Sequence, residues 1–179
     1  MRFVVMDLEW NGAYCRQTRG YFNEIIEIGA VRLDGGLRPD GEFHAVIRPQ
    51  VSSELSSIVR DLTSITPEEL EEQGKPFPAA MEEWIEWIGD GETVILTWST
   101  TDLLVMMENC RYYYDDDRLP FMERYADLQA YCQQRMGVGT AQQVALNSPG
   151  DLLGICEAGA ELHRALDDSR LSGRILQLV

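Results

Sequence analysis

Two carboxylates stand near the start of the chain, directly after a short apolar run at residues 3–6. Asp7 and Glu9 flank Leu8. Side chains two residues apart on a strand point to the same face, about 6.5 to 7 Å from each other. Two carboxylates placed in this way can share a pair of hard divalent cations, with one carboxylate bridging them. Asp-x-Glu triplets are also common in proteins without a metal, where the first acid merely ends a strand.

A third acid, Asp102, follows a second apolar run at residues 94–96. A strand there should leave the sheet in the same direction as the first strand, which would bring its exit loop close to Asp7. The alternative is that Asp102 is a first-turn acid of the next helix, where the helix dipole favours a carboxylate.

A histidine and two acids lie close together near the C-terminus, namely His163, Asp167 and Asp168. On one continuous helix His163 and Asp168 would be about 140° apart. The two converge only if His163 precedes the helix and Asp168 lies in its first turns. A histidine beside acids suits general-base chemistry near pH 7. A lone histidine is more often structural, and we interpret His44 in that way.

The elements that would position these residues alternate between strands and helices. Strands are predicted at residues 3–6, 24–33 and 42–47, joined by short turns as an antiparallel meander, and a further buried strand at 93–96. This pattern predicts an α/β fold with a mixed central sheet flanked by helices. Capping residues predict a helix that starts at Thr66–Glu69. Further helices are predicted at 78–88, 101–110, 128–136 and 165–178.

Size and composition limit the classes of protein. The 179 residues favour one domain spanning 1–179. With 30 acidic and 15 basic residues the formal charge is −15, which argues against bulk attraction to duplex nucleic acid or to an anionic membrane. No apolar run approaches the roughly 18 to 20 residues of a membrane span, and we expect a cytoplasmic protein. The cysteines form no CxxC pair and are expected to be reduced thiols: Cys15, Cys110, Cys132 and Cys156.

Taken together and in this order, the motifs resemble those of the DEDDh 3′-to-5′ exonucleases, which have a ribonuclease-H-like fold. The resemblance spans Phe3 to about Ile175. Residues 98–102 and 127–129 are most similar to the Eri1-type exoribonucleases. The segments that carry the resemblance are 7–9, 23–31, 97–102 and 163–168, with further landmarks at 61–67 and 125–129.

The resemblance implies a role for each of the candidate residues. Family spacing selects Asp168 over Asp167 as the last metal-binding acid and makes His163 the general base. The implied cofactors are two divalent cations, Mg²⁺ or Mn²⁺. Trp10 departs from the small residue or Thr that many members carry, and it either stacks on the terminal base or is buried. The implied metal-binding and catalytic acids are Asp7, Glu9, Asp102 and Asp168.

The function that follows is a metal-dependent 3′–5′ exonuclease acting on single-stranded or short nucleic acid, with RNA favoured over DNA. The alternatives are a DNA exonuclease of the proofreading or repair type, and a nonenzymatic binding module on a nuclease scaffold. Because the negative net charge of the protein disfavours binding of a long polyanion, phosphate contacts should come from the divalent cations and a few arginines. Arginines at such positions are more often solvated surface residues, which is the alternative for each candidate. The candidates are Arg16, Arg19, Arg164, Arg170 and Arg174.

Overall fold

The structure is a computed structural model, and it describes residues 1–116, 118–137, 144–155 and 163–179. The strands are β1 Arg2–Cys15, β2 Gly20–Leu33, β3 Pro39–Val46, β4 Thr93–Thr97 and β5 Tyr125–Asp127. The helices are α1 Ser57–Thr63, α2 Pro67–Glu72, α3 Phe77–Ile88, α4 Thr100–Tyr114, α5 Leu128–Met136, α6 Asn147–Leu152 and α7 Ala165–Leu178, with a 3-10 turn at Pro120–Met122.

The strands form one mixed sheet in the order β3-β2-β1-β4-β5. β2 pairs antiparallel with β1 and with β3, whereas β4 pairs parallel with β1 and with β5. The predicted α/β class, the meander and the mixed sheet are therefore confirmed. β5 was not predicted, because three half-buried residues are too few to show a period.

Alternate residues of β1 separate two cores on opposite faces of the sheet. Val4, Met6 and Leu8 pack with α3 and α4 around the buried Trp84. Val5 lies in a second cluster that includes residues of α5 and α7. A third cluster includes Leu70 of α2. The helices predicted at 78–88, 101–110, 128–136 and 165–178 are all present, whereas α1 and α6 were not predicted.

The hairpin of β1 and β2 is longer than predicted. Both strands have 14 residues, while β4 pairs with β1 only as far as Val5. Beyond Val5, β1 pairs with β2 alone, and β2 still pairs with β3 as far as Glu27, the partner of Glu9. Past that point the hairpin continues as a two-stranded extension, with a register shift between Glu9 and Trp10. The sequence pattern ended the first strand at Met6 because polar residues follow, but these residues remain in the ladder.

The cysteines that the structure describes, Cys15, Cys110 and Cys132, are buried free thiols, as expected. Cys156 lies outside the described residues. Within the ranges given above, no helix is both long and apolar enough to cross a membrane.

Candidate active site

Three acids meet just beyond the point where the pairing of β1 with β4 ends. Asp7, Glu9 and Asp168 each offer a carboxylate oxygen, and these oxygens all lie within 4.8 Å of one another. Asp7 and Glu9 come from β1, and Asp168 comes from the first turn of α7. The structure therefore joins two segments that lie about 160 residues apart in the sequence. Only oxygen donors are present in this group, which suits hard cations such as Mg²⁺ and Mn²⁺.

Asp102 reaches the same place from α4. Its Oδ1 accepts a hydrogen bond of 3.1 Å from the backbone N–H of Leu8, the residue between the two β1 acids. β1 is open to this contact because β4 has already ended its pairing at Val5. Asp102 also lies in the first turn of α4, whose N-cap is Ser99, so both interpretations of this acid hold at once.

His163 lies immediately before α7 in the left-handed region, with φ of 76°. Its backbone N–H donates to Asp168 Oδ2 at 3.2 Å, and the residue as a whole is exposed. This is the arrangement that the five-residue spacing required for convergence. The chain turns sharply at His163, and Asp168 closes that turn.

Burial and mutual repulsion raise the pKa of each acid. Burial, followed by the charges of Asp102 and Asp168, raises the pKa of Asp7 well above its usual range. Burial and the charge of Asp168 raise the pKa of Glu9 to about 8. Burial raises the pKa of Asp102 to about 7, against hydrogen bonds from backbone N–H groups that lower it. Burial also raises the pKa of Asp168. Without a counter-charge the cluster favours protonated carboxyls at neutral pH.

The surroundings of one oxygen atom of Asp168 indicate whether a cation fits the cluster. Asp168 Oδ1 is buried, and among the described residues it has no hydrogen-bond partner. An unpaired buried carboxylate oxygen is costly, and here it stands beside two further carboxylates. A divalent cation would satisfy this oxygen and neutralise its neighbours. The residues present therefore fit such an ion.

Glu27 is a functional residue that sequence reasoning missed. It is completely buried, and it accepts hydrogen bonds from Arg164 Nε at 3.0 Å and from the Ala165 backbone N–H at 2.9 Å. Its Oε1 lies 2.7 Å from Nε2 of His44. Arg164 also pairs with Glu69 at 2.7 Å. Glu27 thus holds the two residues that follow His163. The ion pairs of Arg164 with Glu27 and Glu69 give this arginine a structural role that the sequence did not indicate.

Gly29 brings α7 against the sheet. A Cβ at this position would lie only 2.1 Å from the backbone N of Leu166. Ser169 Oγ donates to the Gly29 carbonyl at 2.8 Å. Alternation along β2 puts Glu27 and Gly29 on the same face. The Glu-x-Gly triplet therefore fixes the start of α7, and with it the position of Asp168.

The other sequence candidates lie in different surroundings. Trp10 is half-buried and packs against the core cluster that contains Leu8. Arg170 forms surface ion pairs with Glu42 at 2.6 Å and with Asp167 at 2.8 Å. Arg174 also has an interaction partner. Arg16 and Arg19 are exposed.

Comparison with known proteins places this geometry in context. The family model RNase_T, described as an exonuclease, matches residues 4–176. The probable 3′-5′ exonuclease KapD of Bacillus subtilis is 26% identical over 98% of this chain and 83% of its own length. ERI1 exoribonuclease 2 of Mus musculus is 30% identical over 93% of this chain but 27% of its own length. A PolC-type DNA polymerase III of Thermotoga maritima is 28% identical over 97% of this chain and 11% of its own length. The chain thus spans only a minor part of two of these relatives.

A solved structure has the same fold. The nuclease domain of 3′hExo, described as a DEDDh family member bound to rAMP, superposes with a TM-score of 0.83. The match covers 99% of this chain and 90% of that domain at 23% identity. At this identity the likeness shows the fold, which is the predicted ribonuclease-H-like one.

Proposed function

Since the chain belongs to the exonuclease family, we propose that it is a metal-dependent 3′-to-5′ exonuclease that shortens single-stranded or short nucleic acid, with RNA favoured over DNA. The observation that carries this proposal is the meeting of Asp7, Glu9 and Asp168, one of whose buried oxygens, Asp168 Oδ1, has no hydrogen-bond partner among the described residues. Such a site has little use in a protein that binds no cation.

The acids are the proposed cation ligands. Asp7, Glu9, Asp102 and Asp168 would hold two divalent ions, Mg²⁺ or Mn²⁺. Bound there, the ions supply charge neutralisation at the phosphate and lower the pKa of water. The protein's own contribution is a rigid set of oxygens, because strand β1 and the anchored start of α7 fix their positions.

His163 is the proposed general base. It would take the proton from a water molecule as the water oxygen attacks the terminal phosphodiester. The bond between phosphorus and the 3′ oxygen of the preceding nucleotide breaks, which releases a nucleoside 5′-monophosphate. Support comes from the exposed position of His163 and from the hydrogen bond of 3.2 Å that its backbone N–H donates to Asp168 Oδ2.

The preference for RNA is supported by relatives only. The mouse relative is an exoribonuclease, and the nuclease domain of 3′hExo binds rAMP. On the same ground the Eri1-type subgroup is the one we propose. The PolC-type relative keeps a DNA exonuclease as the second candidate.

One assay tests the proposal. Purified protein is given 5′-labelled single-stranded RNA or DNA, each with a free or a phosphorylated 3′ end, together with Mg²⁺ or Mn²⁺. We expect a ladder that shortens from the 3′ end, faster on RNA, and that disappears with EDTA. Faster shortening of DNA would favour the DNA exonuclease. Intact substrate with every metal would leave only a nonenzymatic binding module.

A further inference from the structure

The hairpin that carries the catalytic acids continues well beyond them. From Glu9 to Tyr14 the strand advances five residues, or about 17 Å. Residues 10–23 of this extension contain no acidic residue, although the chain has 30. The exposed residues at its end are Tyr14, Arg16, Gln17, Thr18, Arg19 and Tyr21.

The basic residues of this chain are almost all engaged by other groups. Twelve of the fifteen have a side-chain partner, either an acid, a carbonyl or another described interaction. In the part of the chain that the structure describes, the three without one are Arg16, Arg19 and Arg60. In a protein with a formal charge of −15, three cations left without an acid are unusual.

Two tyrosines accompany these arginines. Tyr14 and Tyr21 are cross-strand partners, and their exposed fractions are 65% and 71%. A Cβ on Gly12 would lie 2.3 to 2.7 Å from atoms of the Tyr21 phenol, so the ring lies across the glycine. This contact restrains a large aromatic ring that is nevertheless open to solvent. An exposed ring held in this way is available for stacking on a base.

Arg60 is tied to the same hairpin through α1. The Ser56 backbone N–H donates to Asn11 Oδ1 at 3.1 Å, and Asn11 Nδ2 donates to the Glu54 carbonyl at 3.0 Å. Ser56 is the N-cap of α1, and Arg60 lies one turn further along that helix. Alternation along β1 places Asn11 on the same face as Asp7 and Glu9. α1 therefore stands beside the extension on the face of the acids.

We propose that Arg16, Arg19 and Arg60, with Tyr14 and Tyr21, hold the single strand upstream of the reacting 3′ end. This inference rests on the proposed function. The guanidinium groups bind phosphates, and the tyrosines stack on bases, a combination that tolerates any sequence. The end of the hairpin at Tyr14 lies about 17 Å from Glu9, which is the length of roughly five stacked nucleotides at about 3.4 Å each. It therefore contacts long substrates and not very short ones.

The test compares a charge-removal variant with a matched control. The variant is Arg16→Ser/Arg19→Ser. The control is Arg38→Ser/Arg124→Ser, which removes the same charge from exposed arginines that pair with Asp34 and Glu92. Binding of 5′-fluorescein U12 is followed by anisotropy in Ca²⁺, and hydrolysis of U12 and U3 is followed in Mg²⁺ or Mn²⁺.

We expect the Arg16→Ser/Arg19→Ser variant to raise the Kd for U12 about tenfold, while the control stays within about twofold of the parent protein. The slope of log Kd against log salt should fall by about 1.4, since each single-strand phosphate contact adds about 0.7. Hydrolysis of U3 should be unchanged. Adding Arg60→Ser should weaken U12 binding further.

The outcomes separate this inference from the proposed function. If the parent protein shortens U12 and the variant binds it as tightly as the control does, the inference is wrong and the exonuclease stands. If U12 binds through the arginines but is never shortened, the inference stands and the exonuclease is wrong. A parent protein that does not bind U12 overturns the inference.

Discussion

At the scale of residues, the site depends on acids that are unfavourable until they are neutralised. Asp7, Glu9 and Asp102 all have raised pKa values, because each is buried among like charges. Repulsion among these carboxylates lowers the stability of the folded protein, and the same negative charge attracts divalent cations.

Asp7→Asn should separate these two effects. We expect the variant to lose exonuclease activity, since the central ligand is lost, and to unfold at a higher temperature than the parent protein in EDTA at pH 8. Thermal unfolding with and without Mg²⁺ measures this. Asp61→Asn, on an exposed residue of α1, is the control and should change neither property. A lower unfolding temperature for Asp7→Asn in EDTA would contradict the repulsion argument.

His163→Ala tests the general base. We expect the rate of hydrolysis to fall by about 10² to 10⁴ with the cation requirement unchanged. His44→Ala is the comparison variant: it removes the second histidine, whose Nε2 lies 2.7 Å from Glu27, and it should lower the rate less than His163→Ala does. An unchanged rate for His163→Ala would mean that another group takes the proton.

At the scale of elements, the start of α7 is the part of the fold that completes the site. β2 supplies both anchors, namely the Glu27 carboxylate and the open backbone at Gly29. Arg164 adds a second tie to Glu69 of α2. These contacts decide where Asp168 stands, although none of the anchoring residues is a proposed cation ligand.

Gly29→Ala should push α7 away from the sheet. The added methyl would lie about 2 Å from backbone atoms that cannot rotate aside, and overpacking of this kind costs about 1 to 3 kcal/mol. We expect a lower unfolding temperature and a large loss of activity, measured by circular dichroism and by the exonuclease assay. Gly20→Ala is the control, since its nearest neighbouring atom would be 4.0 Å away. Equal stability of the two variants would show that α7 adapts to the methyl.

At the scale of the whole molecule, the charge of the acid cluster links stability to pH and to cations. The folded pKa values of Glu9 and Asp102, about 8 and about 7, exceed the values near 4 of an unfolded chain. The folded protein therefore binds more protons between pH 4 and 8. The stabilisation from these groups is complete below about pH 4 and is lost as pH rises to about 8.

We therefore expect protection by Mg²⁺ or Mn²⁺ to grow with pH. In EDTA the contribution of the acid cluster to the free energy of unfolding should fall from pH 5 to pH 8. Burial of Glu27 is outweighed by hydrogen bonds from His44 and Arg164, which lower its pKa, so the contribution of Glu27 changes only at more acidic pH. Urea titrations at a series of pH values, with and without the cation, measure the difference. A cation effect that does not depend on pH would place the binding elsewhere.

Much of the fold was predictable because its signals are local. Apolar runs and helix starts gave the strands around residues 3–6, 24–33 and 93–96, and α7 agrees with its predicted range. Short elements such as β5 and α6 carry too few residues for a period. The extension of the hairpin beyond Met6 was missed, because polar residues interrupt the apolar run there, although they stay paired with β2.

The sequence alone determined which residue types stand at the ends of the buried strands and at the start of the last helix, and hence which acids and which histidine to consider. Only the tertiary structure decided that Asp7, Glu9 and Asp168 meet. It also showed that Glu27, which the sequence presents only as one residue of a strand, holds α7 in place. It also separated Arg164, which is paired and partly buried, from Arg16 and Arg19, which are exposed. Residue type and spacing are local properties, whereas proximity, burial and charge neutralisation arise from segments that only folding brings together.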